Sequence, residues 1–278
     1  MAAPEARVQD VNARRVRLRV VSEGEGPPLL LLHDFLMDHR AFDDVVPGLR
    51  GAFRLVMPDL PGFGESEKPP PARFDYGVEA FADCVTDLVA ALDLGRAHVI
   101  AHGMGGAIAL ALAAERPELI DRLVLVSPLV YPHARGGLLN APVLGGLVFK
   151  QFYGRALFRG YFRDRIFSPG FAMPLGRIDG FYERFNSPPA RESAYATMNA
   201  LADTRPTMAR LARVKRPTFV VWGRADALHP PQLGQRLARE VGAERFEIME
   251  AGHAPYMELP EPFVATVGAF LRRRSPPV

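Results

Sequence analysis

Cysteine is almost missing from this sequence: Cys84 stands alone among 278 residues. An intramolecular disulfide is therefore excluded, and nothing argues for an oxidising compartment. Cys84 falls on the apolar side of a helical pattern, which marks a core residue rather than a reactive thiol. An excess of one charge is lacking too. With 34 basic and 31 acidic residues the net charge is only +3, so no nucleic-acid partner is implied. The tail Arg272-Arg273-Arg274 reads as a solvated helix end. Long hydrophobic runs are missing. The longest nearly apolar stretch, Gly105 to Ala114, falls far short of the roughly 20 residues that cross a bilayer, so no membrane partner is expected. No basic segment followed by an apolar run opens the chain, so no signal peptide is expected and a cytoplasmic protein is. The seven histidines show no ligand spacing such as His-x-x-x-His, which leaves no case for a metal.

What is present is alternation. Short apolar runs at Val16 to Val21, Leu29 to Leu32, Arg54 to Met57, Ala97 to Ala101, Leu123 to Val126, Thr218 to Trp222 and Phe246 to Met249 read as strands. Continuous apolar runs of this length suit strands buried on both faces of a parallel sheet. Between them lie helical patterns: Val78, Phe81, Cys84, Val85, Leu88, Val89 and Leu92 on one face, then Gly106 to Ala114, Leu233 to Val241 and Phe263 to Leu271. The rhythm stops from about Pro132 to Met208. That segment holds twelve of the chain's 26 aromatic residues, and arginines including Arg155, Arg159, Arg163 and Arg165. It reads as a helical insertion. The expected fold class is α/β, a mainly parallel doubly wound sheet with helices on both faces.

Active sites on such sheets lie at the carboxyl ends of the strands. Four strand ends carry suggestive residues: His33-Asp34-Phe35, Asp59-Leu60-Pro61-Gly62-Phe63-Gly64, Ala101-His102-Gly103-Met104-Gly105-Gly106, and Asp226 after Trp222-Gly223. Gly252-His253 follows the last strand. In this order and spacing the five motifs resemble the α/β-hydrolase family, over roughly Val16 to Leu271. The resemblance implies a core of residues 1–131 and 209–278, with 132–208 as a helical cap before the acid-bearing strand.

The family's nucleophile sits on a strained turn in a Gly-x-Ser-x-Gly pattern. Here the turn reads Ala101-His102-Gly103-Met104-Gly105, so the nucleophile position is a glycine with no side chain. Glycine relieves the strain of such a turn, and Gly105 and Gly106 keep helix and strand close. Asp226 matches the family's acid and His253 its histidine. In the triad the acid orients the imidazole and the imidazole moves protons. The oxyanion side differs as well. Asp34 replaces the usual glycine after His33, Phe35 would supply one backbone donor, and Met104 would supply the other. Asp34 is expected to point away from the site; pointing inward, its charge would oppose an oxyanion or serve as an acid or base. His102 is expected to be structural, and the Asp59–Gly64 loop to lie near the rim.

These residues imply an enzyme for a small, apolar or aromatic substrate, in which His253 and Asp226 activate water or abstract a proton with no acyl-enzyme. Two alternatives stay open: a non-catalytic ligand- or partner-binding relative, and a serine ester or lactone hydrolase whose nucleophile has been replaced. The cap aromatics would line a pocket or form the cap's own core, and the cap arginines would steer an anion or simply be solvated. A dinucleotide site at Gly103-Met104-Gly105-Gly106 is rejected. The third fingerprint position is Ile108, and Ser127-Pro128 stands where an acid should end the next strand. No cofactor is expected.

Overall fold

The computed structural model describes residues 6–132 and 146–273. Residues 133–145 of the expected insertion and Arg274 of the basic tail lie outside them. The strands are β1 (Arg7–Ala13), β2 (Val16–Glu23), β3 (Pro28–Leu32), β4 (Arg54–Pro58), β5 (Ala97–His102), β6 (Ile120–Val126), β7 (Thr218–Gly223) and β8 (Arg245–Met249). They form one sheet in the order β1-β2-β4-β3-β5-β6-β7-β8. β1 and β2 run antiparallel to each other, as do β2 and β4. From β4 through β8 every pairing is parallel.

The central strands are buried on both faces because helices cover both. α2 (Val78–Ala91) and α3 (Gly103–Glu115) pack on each other, and α3 lies against β5 and β6. α1 (Val46–Leu49) packs with the C-terminal helix Pro260–Leu271. Parallel strands need such crossover helices, and the continuous apolar runs follow from that double cover. Cys84 is buried in this core, with burial pushing its thiol up to about 12.

β1 has no counterpart in the sequence reading. Its side chains are largely exposed, so it lacks the apolar run that marks the other strands. It is joined to β2 by Arg14 and Arg15, whose φ values of 51° and 60° make a tight hairpin turn.

Between β6 and β7 the described residues are helical: α4 (Arg155–Tyr161), α5 (Leu175–Phe185), α6 (Pro188–Ala200) and α7 (Arg205–Arg210). α7 straddles position 208, where the sequence placed the end of the insertion. The aromatic residues of this segment pack mainly on one another. Phe149 stacks on Tyr153 with ring centres 5.1 Å apart, Phe158 on Phe162 at 5.1 Å, and Phe162 on Phe181 at 5.6 Å. Three of the four arginines named above are paired: Arg159 with Asp179, Arg155 with Glu183 and Arg163 with Asp164. These pairs lie within the segment, whereas Arg177 and Arg184 reach out of it to Asp44 and Glu65.

α8 (Pro231–Glu240), α9 (Pro255–Glu258) and α10 (Pro260–Leu271) complete the chain. No helix among the described residues is long and apolar enough to cross a membrane.

Leu31 is fully buried in β3, whereas Val8 in β1 is 53% exposed. Leu31→Ala should therefore cost about 2–5 kcal/mol through lost burial and a residual cavity, and Val8→Ala no more than about 0.5 kcal/mol. Urea unfolding of both variants measures this, and equal losses would contradict the assigned core.

Candidate active site

β5 runs into α3 without a break, and Gly103 is the first residue of the helix. Its φ of +51° lies in the left-handed region, where a side chain is strained. Such a turn aims the next backbone N–H groups at the carboxyl end of the sheet. Close approach holds it in place. A Cβ on Gly105 would lie 2.5 Å from the Leu32 carbonyl oxygen, and one on Gly106 would lie 2.4 Å from Pro128. The start of α3 is thus wedged between the ends of β3 and β6.

Asp34 does not point away; that expectation is corrected. Its carboxylate turns into the site and occupies the space a side chain at position 103 would need. A Cβ built on Gly103 would sit 2.0 Å from Asp34 Oδ1 and 2.1 Å from its Cγ. The Met104 N–H donates to Asp34 Oδ1 at 2.6 Å, so the donor expected to hold an oxyanion already holds this carboxylate. The physical reason is the vacancy at Gly103. With no Cβ there, an N–H at a helix N-terminus draws in the nearest anion.

Local bonds fix the Asp34 backbone. The Leu60 N–H donates to His33 Nε2 at 2.9 Å, which leaves the proton on Nδ1 to donate to the Asp34 carbonyl at 2.8 Å. Burial lowers the His33 pKa, consistent with this neutral form.

The three charged groups stand in a row. His253 Nδ1 meets Asp226 Oδ2 at 2.8 Å, and His253 Nε2 lies 3.3 Å from Asp34 Oδ2. Asp226 Oδ1 accepts the backbone N–H groups of Leu228 and His229 at 2.9 and 2.8 Å. Burial alone would discharge His253, but the two flanking carboxylates outweigh it and raise its pKa to about 10. At neutral pH the ring is an imidazolium. With both carboxylates ionised, His253 holds its proton more tightly than an ordinary histidine. Asp34 is held well below the ordinary carboxylate range: burial opposes its charge, but His102, His253 and the Met104 N–H outweigh burial.

His102 is buried and its nitrogens are spent on structure. Nε2 donates to the His253 carbonyl at 3.0 Å, and Nδ1 faces the Tyr256 hydroxyl at 3.1 Å. The fold does gather His and acidic groups that sequence spacing did not suggest. Ligand atoms of Asp34, His102 and His253 lie within 4.8 Å of one another, as do those of Asp38, His39 and Asp59. The hydrogen bonds just given satisfy the first group without an ion, and His39 Nδ1 bonds Asp59 Oδ1 at 2.7 Å in the second. Phe35 packs its ring edge-on to Phe63, with centres 5.9 Å apart. Gly62, Phe63 and Gly64 of the expected rim loop line a small crevice shared with Leu36, Phe181 and Phe185.

Three contributors were missed by sequence reasoning. The His253 N–H donates to the Ile166 carbonyl at 2.7 Å. Glu258 joins Gly252 N, at 2.8 Å, to Ser168 N, at 3.0 Å. The loop bearing His253 is thus bolted to the inserted segment. Tyr161, on α4, has its hydroxyl raised well above the usual range by burial and then by the charge of Asp34. No motif signals the links to Ile166 and Ser168, because they join residues far apart in sequence.

A profile of the alpha/beta hydrolase fold family matches residues 27–260. The chain belongs to that family. It is 30% identical over 251 residues to a pimeloyl-[acyl-carrier protein] methyl ester esterase of Neisseria meningitidis serogroup A, covering 87% of this chain and 75% of that protein. It is 28% identical to haloalkane dehalogenase 2 of Mycobacterium tuberculosis over 80% of this chain and 79% of that one. Among solved structures, a thermophilic esterase from Thermogutta terrifontis superposes with a TM-score of 0.81 at 25% identity, covering 96% of this chain and 98% of that one.

Because the folded value for His253 lies above the ordinary histidine value of about 6.5, its stabilisation is complete below pH ~6.5 and is lost as pH rises through about 10. Unfolding midpoints should therefore fall across that window. NMR titration of the His253 ring should place its midpoint near 10, and Asp34→Asn should lower it by about one to three units. A wild-type midpoint near 6.5 would rule out the two-carboxylate arrangement.

Proposed function

We propose that this protein is a hydrolase-type enzyme for small, apolar or aromatic molecules that works without an acyl-enzyme at the elbow. His253 and Asp226 carry the proton transfers, and residues 132–208 act as the cap. One observation carries the reading: the acid–histidine pair is intact at 2.8 Å, while the space of an elbow nucleophile is filled by Asp34. The esterase and dehalogenase relatives fit hydrolytic chemistry on a small substrate. The Phe35 and Met104 backbone N–H groups remain the proposed oxyanion donors, the latter only once Asp34 Oδ1 has left it. We place the enzyme in the cytoplasm.

A non-catalytic binding role is the second reading, and a specific feature favours it. Asp34, His253 and the Met104 N–H satisfy one another, so the site is electrostatically complete when empty. The third reading, a serine hydrolase lacking only its nucleophile, requires the Asp34 side chain to move, since a Cβ at position 103 would meet its carboxylate where it now lies.

A panel of activated esters, lactones, alkyl halides and epoxides distinguishes these readings. The expected result is turnover that falls by at least about 10³-fold in His253→Ala, in line with loss of a triad histidine. Gly103→Ser alone should give no gain on esters. Tight ligand binding without turnover would favour the binding role, and a large ester-hydrolysing gain in Gly103→Ser would favour the serine hydrolase.

A further inference from the structure

We propose that the inserted segment carries a binding site of its own, an open cleft between Lys150 and the start of α6 that holds the carboxylate of a small organic acid. The cleft is a different place from the row of Asp34, His253 and Asp226, and its use does not depend on the catalytic reading.

The space is there. The cleft has a volume of about 420 Å³, and Lys150, Asn186, Ser187, Pro188, Arg191 and Glu192 are among its lining residues. Sites for small molecules measure about 300–1,000 Å³. All of these residues lie between β6 and β7, so the inserted segment builds the cleft alone. The turn Val148–Phe152 supplies one wall, and the link from α5 into α6 supplies the other.

The decisive group is Arg191. It is only 8% exposed, and a buried guanidinium is normally paired with an anion. This one is not. Among the described residues it donates only to neutral acceptors: Asn186 Oδ1 at 2.8 Å, the Phe149 carbonyl at 3.2 Å, the Lys150 carbonyl at 3.4 Å and the Tyr182 hydroxyl at 3.5 Å. The Phe185 ring lies against it with its centre 4.9 Å away, which offsets part of the charge without cancelling it. Arg155, Arg159 and Arg163 of the same segment each meet a carboxylate.

Lys150 adds a second cation, and it is loosely held. Its Nζ lies 3.4 Å from Glu192 Oε1, beyond the roughly 2.7–2.9 Å of a charge-assisted bond. Lys150 and Arg191 against Glu192 leave one positive charge in excess in the cleft.

The neutral groups add donors. Asn186 Oδ1 accepts from Arg191 and from the Tyr182 hydroxyl, which fixes the orientation of its amide and leaves the Nδ2 hydrogens to donate elsewhere. Ser187 Oγ accepts the Ala190 N–H at 3.4 Å, which leaves its own hydrogen to donate. The helix start itself contributes nothing. Pro188 and Pro189 have no N–H, and those of Ala190 and Arg191 go to Ser187. Several donors with one net positive charge match a singly charged oxyanion. A carboxylate meets that count, whereas a phosphate would bring about 1.5–2 negative charges beside Glu192. Pro188 gives the rest of the acid an apolar wall.

Sodium benzoate and sodium phosphate serve as probes, each titrated into the ¹⁵N-labelled full chain with ionic strength held constant by sodium chloride. The expected result is a saturable shift of the Gln151, Ser187 and Arg191 backbone amides with benzoate, and weaker binding of phosphate. Lys150→Ala should weaken benzoate binding by about tenfold, the loss of one charge-assisted bond. Asn186→Asp is the sharper variant. It keeps the acceptor for Arg191 and supplies the missing carboxylate from within, so it should abolish the benzoate shifts while its amide spectrum stays that of a folded chain. No saturation in the wild-type chain overturns the proposal. So do benzoate shifts centred on Met104 instead of Gln151 and Ser187, and full benzoate binding by a folded Asn186→Asp. Unchanged affinity in Lys150→Ala overturns it whether or not Asn186→Asp folds. Phosphate binding tighter than benzoate overturns the choice of a carboxylate.

Discussion

The site depends on a reciprocal fit between Asp34 and Gly103. The Asp34 carboxylate can lie over the start of α3 only because position 103 has no Cβ, which would sit 2.0 Å from Oδ1. The left-handed backbone at Gly103, φ +51°, is itself a conformation that glycine adopts at little cost. One residue type thus serves two demands: it relaxes the turn and makes room for the anion. Everything else in the site follows from where that anion settles.

Charge explains why the arrangement holds together away from water. Two carboxylates and one imidazolium are buried side by side, a cluster with one negative charge in excess. An isolated buried carboxylate would be discharged. Here Asp226 takes two backbone N–H groups and the histidine, and Asp34 takes the Met104 N–H and the far side of the same ring. The first turn of α3 adds the positive end of a helix dipole beneath Asp34. The arrangement also couples the two ends of the row. Whatever neutralises Asp34 removes one support of the imidazolium, so the protonation of His253 reports on the state of an atom 3.3 Å away.

Much of this fold was legible in the sequence because its central strands are buried on both faces. That double burial forces uninterrupted apolar runs, and the runs at Leu29–Leu32, Ala97–Ala101 and Thr218–Trp222 mark β3, β5 and β7. β1 obeys no such constraint. It is an exposed edge strand paired on one side, and its residues carry no continuous apolar run. Asp226 and His253 could be singled out because each follows a strand end, and the structure sets them 2.8 Å apart. The direction of Asp34 was not, since it is set by space left 69 positions away at Gly103 and by a donor on Met104. The links from Ile166, Ser168 and Glu258 to the His253 loop are of the same kind. The aromatic residues of the insertion gave the opposite lesson. Their abundance was plain, but only their stacking on one another shows what they are used for.

The two departures from the family pattern are one change in physical terms. Consider either alone. A serine at position 103 with Asp34 retained puts a Cβ into a carboxylate. A glycine at both 34 and 103 empties the space over α3, leaving the Met104 N–H without its partner and His253 with a single carboxylate. Each half-change leaves a steric conflict or an unmet buried donor, and a buried donor without an acceptor costs about 1–3 kcal/mol. The pair removes both problems at once. It also keeps an anionic oxygen at the point where the elbow would present one, now attached to a different strand. The anionic oxygens that result lie 2.6 Å from the Met104 nitrogen and 3.3 Å from His253 Nε2, carried by the loop after β3 rather than by the elbow.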